Sequence, residues 1–136
     1  IFMRYADLLL IHAEASMELG DVPAAKSSLA LIRQRAGLSP YPNEVTISSY
    51  KESYLLGHDA LRAVVYHERR VELGLEHDRF YDLVRWGDAG VVFQNFNHLG
   101  LTFGKTNFLP GCSELLPIPF YDIQSSNDLI IQNPCY

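Results

Sequence analysis

The chain has 136 residues, 48% of them hydrophobic and 20% charged, and a formal net charge of −5. That length and balance suit a chain that builds a core rather than a disordered one. The acidic excess excludes the basic stripe that a nucleic-acid partner would demand, and the most apolar window, Ala6 to Ala15, is too short and too interrupted by Asp7, His12 and Glu14 to span a bilayer.

The start, Ile1-Phe2-Met3-Arg4, offers no capping residue ahead of a helical pattern and no charged-then-apolar leader. We therefore expect residues 1–136 to be a single domain, the C-terminal portion of a longer protein. Tyr5, Leu8, Leu9, His12 and Met17 recur at helical spacing with small Ala6, Ala13, Ala15 and Ser16 between them, and Gly20 supplies a stop. Asp21 is a good N-cap, and Pro23 falls in the first turn of the next helix, where its missing N–H does no harm. That second helix carries Val22, Ala25, Leu29, Ile32 and Ala36 on one narrow seam and ends at Gly37. Two such helices predict an antiparallel hairpin of tetratricopeptide size. One repeat cannot bury its own face, so it must pack on later helices or on further chain.

Leu38 to His58 is a connection rich in turn formers, with Ser49-Tyr50-Lys51-Glu52 as a capping box for a short helix over Tyr50–Leu56. Tyr41, Tyr50 and Tyr54 have the rings to stack on a sugar, but pinning the loop to the core is the preferred reading. Asp59 caps the next helix, which should run to about Gly74. On it Leu61, Val64, Val65, Val71 and Leu75 make an apolar stripe, with Glu68 and Glu72 on or beside it. A carboxylate on a core-facing stripe is costly unless a cation and several donors satisfy it. Arg69 and Arg70 stand nearby, and Arg79 and Arg85 one short helix later, so the pattern predicts an internal ion-pair network locking these two helices together. The second of them starts at Glu76-His77-Asp78, presents Phe80, Leu83 and Val84, and closes at Trp86-Gly87. Asp78, Asp82 and Arg85 share a face there.

A further helix is expected from Asp88 to His98, and a small hairpin across Lys105-Thr106-Asn107. Leu115-Leu116-Pro117-Ile118 must be extended, because a residue before proline is pushed out of the helical region; Pro119 then opens one helical turn through Ile123. The end, QNPCY, reads as irregular chain laid over the helices. Cys112 and Cys135 both lie in this tail. A disulfide in an exported protein and a pair of free thiols both fit, and the spacing is of no metal type.

RYADLLLIHAEASMELGD near the start, ERRVELGLEHDRFYDLVRWG in the middle, LLPIP and the closing QNPCY stand in an order that resembles the C-terminal region of the SusD/RagB family. Its usual ERR-x-EL is present as Glu68 to Leu73, its D-L-x-RW as Asp82 to Trp86, and its LPIP as Leu116 to Pro119. The family typically ends QNPGY, and Cys135 replaces that glycine. Ser126-Asn127-Asp128 stands where it often has Asn-Pro, and the stretch from Gly87 to Leu115 is short. The resemblance implies a mainly α fold: a tetratricopeptide-like helical hairpin, further packed helices and an irregular C-terminal tail. It also implies an exported, surface-exposed lipoprotein of the outer membrane of Bacteroidetes. Such a protein captures oligosaccharides, or in some members peptides and other nutrients, for a SusC-like TonB-dependent transporter, and is not an enzyme. The lipid-anchored cysteine and most ligand-contacting loops would lie upstream, so no ligand-binding residue is carried over to this chain.

Other readings of the same residues are weaker. Glu68 with Glu72, or Glu72 with Glu76, lie one helical turn apart, and a carboxyl pair suits glycoside hydrolysis; such pairs, however, normally flank a cleft from different elements. His67-Glu68-Arg69-Arg70-Val71 lacks the second histidine of the zinc motif, and His12, His58, His77 and His98 have no ligand-like spacing. No serine or cysteine stands in a nucleophile motif. Trp86 would serve as a sugar platform if exposed, but its place beside Asp82 and Arg85 favours packing. We assign no catalytic, metal or cofactor residue. The main alternative function is a tetratricopeptide-type module gripping a protein partner.

Overall fold

The computed structural model of the chain describes residues 3–40, 55, 57–94, 108–127 and 129–136. It is mainly helical: α1 (Tyr5–Glu18), α2 (Val22–Arg35), α3 (Ala60–Glu72), α4 (Arg79–Trp86), α5 (Ala89–Gln94) and α6 (Phe120–Ser125), with no strand among the described residues. The helix expected over Tyr50–Leu56 lies outside them apart from Leu55. So do the hairpin across 105–107 and residues 95–98 of the expected Asp88–His98 helix. The chain divides into two compact units, Ile1–Arg79 and Phe80–Tyr136.

In the first unit α1 and α2 form the expected hairpin, and α1 also packs on α3. The turn between the helices is built as the sequence implies. Gly20 takes a φ of +78°, and the Asp21 carboxylate accepts a hydrogen bond from the Ala24 N–H at 3.1 Å, satisfying one of the orphan donors of α2. Gly37, at +73°, ends α2.

The buried face of α1 differs from the expected one. Ala6, Leu10, Ala13, Glu14, Ser16 and Met17 point inward, while Tyr5 and Leu8 are more than half exposed. The reason is size. α1 is sandwiched between contacts to two helices, and the alanines and serine let their backbones approach, with Ala25 and Ser28 on α2 and Ala63 on α3 doing the same. Leu10, Leu29 and Ile32 fill the remaining space at 0–2% exposure. Each such side chain contributes about 1.5–3 kcal/mol by leaving water.

Asp59 caps α3 as expected, its carboxylate accepting from the Arg62 N–H at 3.0 Å. Arg69 and Arg70 in the last turn complement the negative end of the helix dipole. The core stripe is again rotated. Val64 and Val65 are buried, but so are Ala63, Tyr66, Glu68, Arg69 and, just past the helix, Leu73; Val71 is 62% exposed and Leu75 wholly so. Leu75 and His77 take positive φ values of 70° and 69°, so no helix can start at Glu76, and α4 begins only at Arg79.

In the second unit α4 buries Asp82 and Leu83 and is stopped by Gly87 at φ +78°. Phe93 of α5 stacks on Phe108 at 5.0 Å and lies 6.0 Å from Phe80, which makes a half-buried aromatic cluster. Residues 116–119 carry no regular secondary structure, and Pro119 opens α6 as expected.

Candidate functional site

The charged residues singled out on α3 are held in a guanidinium–carboxylate network with partners distant in sequence. Glu68, 7% exposed at its side chain, accepts from Arg33 at the end of α2. Arg69, equally buried, donates to Asp7 of α1 at 3.1 Å. Glu72 takes Arg35 of α2 at 2.6 Å and Arg4 at 2.5 Å. Arg4 goes on to Glu76 at 2.6–3.0 Å and donates to the backbone carbonyl of Glu72, one of the last acceptors of α3. At the other end of α3, Arg62 pairs with Glu18 of α1 and donates to the Tyr66 hydroxyl at 3.0 Å.

The geometry of these pairs gives the helix directions. Glu18 at the end of α1 meets Arg62 at the start of α3, and Asp7 at the start of α1 meets Arg69 at the end of α3, so the two run antiparallel. Arg33 and Arg35 close α2 beside Glu68 and Glu72 near the end of α3, so those two run parallel. The network therefore ties α3 to α1 and α2. Within α4, Arg85 pairs with Asp82 at 2.9 Å, one turn away on the same helix.

The electrostatics follow from the contacts. The side-chain hydrogen bond from Arg4 pulls the Glu76 carboxyl below its ordinary value of 4.5, and Glu76 and Glu72 together push the Arg4 guanidinium further above its own. The backbone N–H of Arg62 holds Asp59 below 3.8. Burial raises the Tyr66 phenol, against the pull of Arg62. General-acid work asks for a carboxyl raised by its surroundings. Glu68 and Glu72 instead accept from three arginines, and Glu76 moves the other way.

The other candidates are placed as follows. Trp86 is half-buried with the Arg85 guanidinium 5.0 Å from its ring centre, a packed arrangement. His12 Nδ1 lies 2.8 Å from the Ser28 hydroxyl, and His58 meets the Tyr66 ring edge-on. Among the described residues no three histidine, cysteine or acidic side chains converge as a metal site would require. His98, Tyr41, Tyr50 and Tyr54 lie outside them.

The two tail signatures come together. Pro117 and Pro119 leave Ile118 with the last free N–H of the 116–119 stretch, and Gln132 clasps that residue from both sides. Its Oε1 accepts from Ile118 N at 2.8 Å and its Nε2 donates to Ile118 O at 2.9 Å. Asn133 Nδ2 donates to Leu116 O at 2.6 Å and the Tyr136 hydroxyl to Leu115 O at 3.1 Å. Cys112 and Cys135 are joined as a disulfide, which resolves the open alternative of two free thiols.

Sequence reasoning missed Arg4, Asp7, Glu18, Arg33 and Arg35 as partners. One signal for two of them was present: Arg33 and Arg35 flank the end of the buried Leu29–Ile32 seam, where a cation meets whatever packs beside it.

One unit is thus a helical hairpin with a third helix ion-paired across it, and the other holds a C-terminal segment clasped on a proline-bounded stretch. The family model for the SusD family matches residues 1–136, and the chain belongs to that family. It is 34% identical over 138 aligned positions to SusD-like protein P2 of Formosa agariphila, covering 98% of this chain and 25% of that protein. It is 33% identical over 126 positions to SusD-like protein P25 of the same organism, covering 91% and 22%, and 37% identical over 99 positions to SusD-like protein P38, covering 73% and 19%. The chain thus spans a quarter or less of the length of these relatives.

Proposed function

We propose that this chain is the C-terminal portion of a nutrient-binding component of an outer-membrane uptake system. It would belong to a surface lipoprotein that captures oligosaccharides, or peptides, by non-covalent contact and passes them to a SusC-like TonB-dependent transporter. The observation that carries this reading is the SusD-family match along all of residues 1–136, supported by relatives that bear the name SusD-like. In this role the charged signature on α3 is scaffold. Its carboxylates accept from arginines and are poorly placed for acid–base work, which favours binding over catalysis. No helix among the described residues is long and apolar enough to cross a bilayer.

The test uses the full-length protein with its native upstream sequence. Palmitate labelling in cells, protease accessibility at the cell surface and co-purification of a TonB-dependent transporter are expected, together with calorimetric binding to at least one member of an oligosaccharide and peptide panel. Absence of lipid label together with absence of ligand binding would overturn the reading. One observation keeps the tetratricopeptide-type interaction module as a second reading: Tyr5, Leu8 and Ile11 leave an apolar stripe of α1 exposed, at 43–69%. A soluble, unlipidated full-length protein that binds a protein partner and no nutrient would favour it.

A further inference from the structure

Among the described residues, the hydrogen bonds that hold the C-terminal segment on residues 115–118 come from the side chains of Gln132, Asn133 and Tyr136. Between Asn133 and Tyr136 the chain turns at Cys135, whose φ is +74°. That is the left-handed region, where glycine rests without penalty and a residue with a side chain is strained. A relaxed Cys135 would move to negative φ and swing Tyr136 away from Leu115. What opposes this is covalent. Cys135 is bonded to Cys112, with their Cα atoms 5.8 Å apart. Cys112 in turn sits in a tight turn in which Leu109 O accepts from Cys112 N at 3.0 Å and from Ser113 N at 2.9 Å, while Ser113 Oγ accepts from Leu109 N at 2.9 Å.

We propose that the Cys112–Cys135 bond is a redox-operated latch: oxidised, it holds the strained turn and keeps the tail clasped on Leu115–Ile118; reduced, it lets the turn relax and the clasp open. Setting the latch converts two thiols to a disulfide, with two protons and two electrons passing to the disulfide of a thiol–disulfide oxidoreductase, which leaves as a dithiol. A dithiol reductant reverses the transfer through a mixed disulfide. The latch is therefore set only where the chain meets an oxidising compartment.

Hydrogen exchange in the full-length protein reads it directly at the Ile118 amide, the donor held by Gln132. Dithiothreitol should speed exchange at Ile118 by about tenfold or more while the amides of α1 and α2 keep their rates. Cys135→Gly, which loses the bond but suits the positive φ, should protect Ile118 better than Cys135→Ala, which loses the bond and keeps the strain. Gln132→Ala should speed Ile118 exchange with the disulfide intact, showing that the clasp is what the amide reports. An unchanged Ile118 rate on reduction would overturn the latch. So would equal protection in the glycine and alanine variants, or equal loss of protection across α1 and α2, which would make the bond a general staple.

Discussion

Replacing Glu68 by alanine is the sharpest test of the network on α3. The Arg33 and Glu68 side chains are 11% and 7% exposed, so the pair is desolvated on both sides, and truncating Glu68 leaves a guanidinium in the core with its carboxylate gone. Removing one partner of a buried pair costs about 3–5 kcal/mol, because the surviving charge has no water to fall back on. Arg35 offers a control on the same two helices. It pairs with Glu72, but its side chain is 63% exposed, and Arg35→Ala should cost less than about 1 kcal/mol. A double replacement, Arg33→Met with Glu68→Met, removes both charges and should cost less than Glu68→Ala alone, because no buried ion is stranded. Urea denaturation of the full-length protein followed by circular dichroism measures all three variants. If Glu68→Ala costs no more than Arg35→Ala, or if the double variant is worse than the single, the pair is not desolvated as argued and the reasoning fails.

Other consequences are equally direct. Asp59→Ala removes the N-cap of α3 and should cost about 1 kcal/mol, which thermal denaturation detects. Asp59 and Glu76 are both held below their ordinary values of 3.8 and 4.5 in the fold, so their stabilisation is complete above those values and is lost as pH falls through and below them. Asp59→Asn, which still caps, should flatten the acid side of the melting-temperature profile; an unchanged slope would refute the linkage. Gln132→Glu keeps the acceptor for Ile118 N but faces a carboxylate oxygen to Ile118 O, and a cost of about 1–3 kcal/mol should appear as faster proteolysis at the C-terminus. Reversing Asp7 to Arg or Arg69 to Asp singly should destabilise the α1–α3 contact, and the two reversals together should restore part of the loss.

Much of the fold was legible because local chemistry decides it. The Asp21 and Asp59 caps, the Gly20, Gly37 and Gly87 stops and the opening of α6 at Pro119 all depend on residues within a few positions of one another, and each stands as read. The buried faces of α1 and α3 were harder, because the rule that large apolar residues face inward ranks Tyr5, Leu8, Val71 and Leu75 above Ala6, Ala13 and Ala63. Close packing of three helices reverses that order: the small residues sit where backbones approach, and the large ones are left at the rim. The partners on α1 and α2 were hidden for a similar reason. The need of Glu68 for a cation is visible in one dimension, but Arg33, 35 residues away, becomes its nearest guanidinium only once α2 lies parallel to α3. The Gln132 clasp carried no one-dimensional signal, because the tail has no apolar period and the two stretches it joins lie 14 residues apart.

The position of the ion pairs suggests what they add beyond burial. The buried faces mix small residues (Ala6, Ala13 and Ser16 of α1, Ala25 and Ser28 of α2, Ala63 of α3) with Leu10, Leu29, Val64 and Val65, and apolar contact of this kind is non-directional, so it discriminates between registers less sharply than paired charges do. Sliding α3 along α1 by one turn is a move of about 5.4 Å. It would separate Arg62 from Glu18 and Arg69 from Asp7 at once, since these pairs sit at opposite ends of the contact, and would strand Glu68 away from Arg33. Each neighbouring register then carries a desolvated, unpaired charge, whereas the native one carries none of these. The network thus penalises the alternatives more than it rewards the native packing, which is how charges on a core-facing stripe specify the arrangement of a helix.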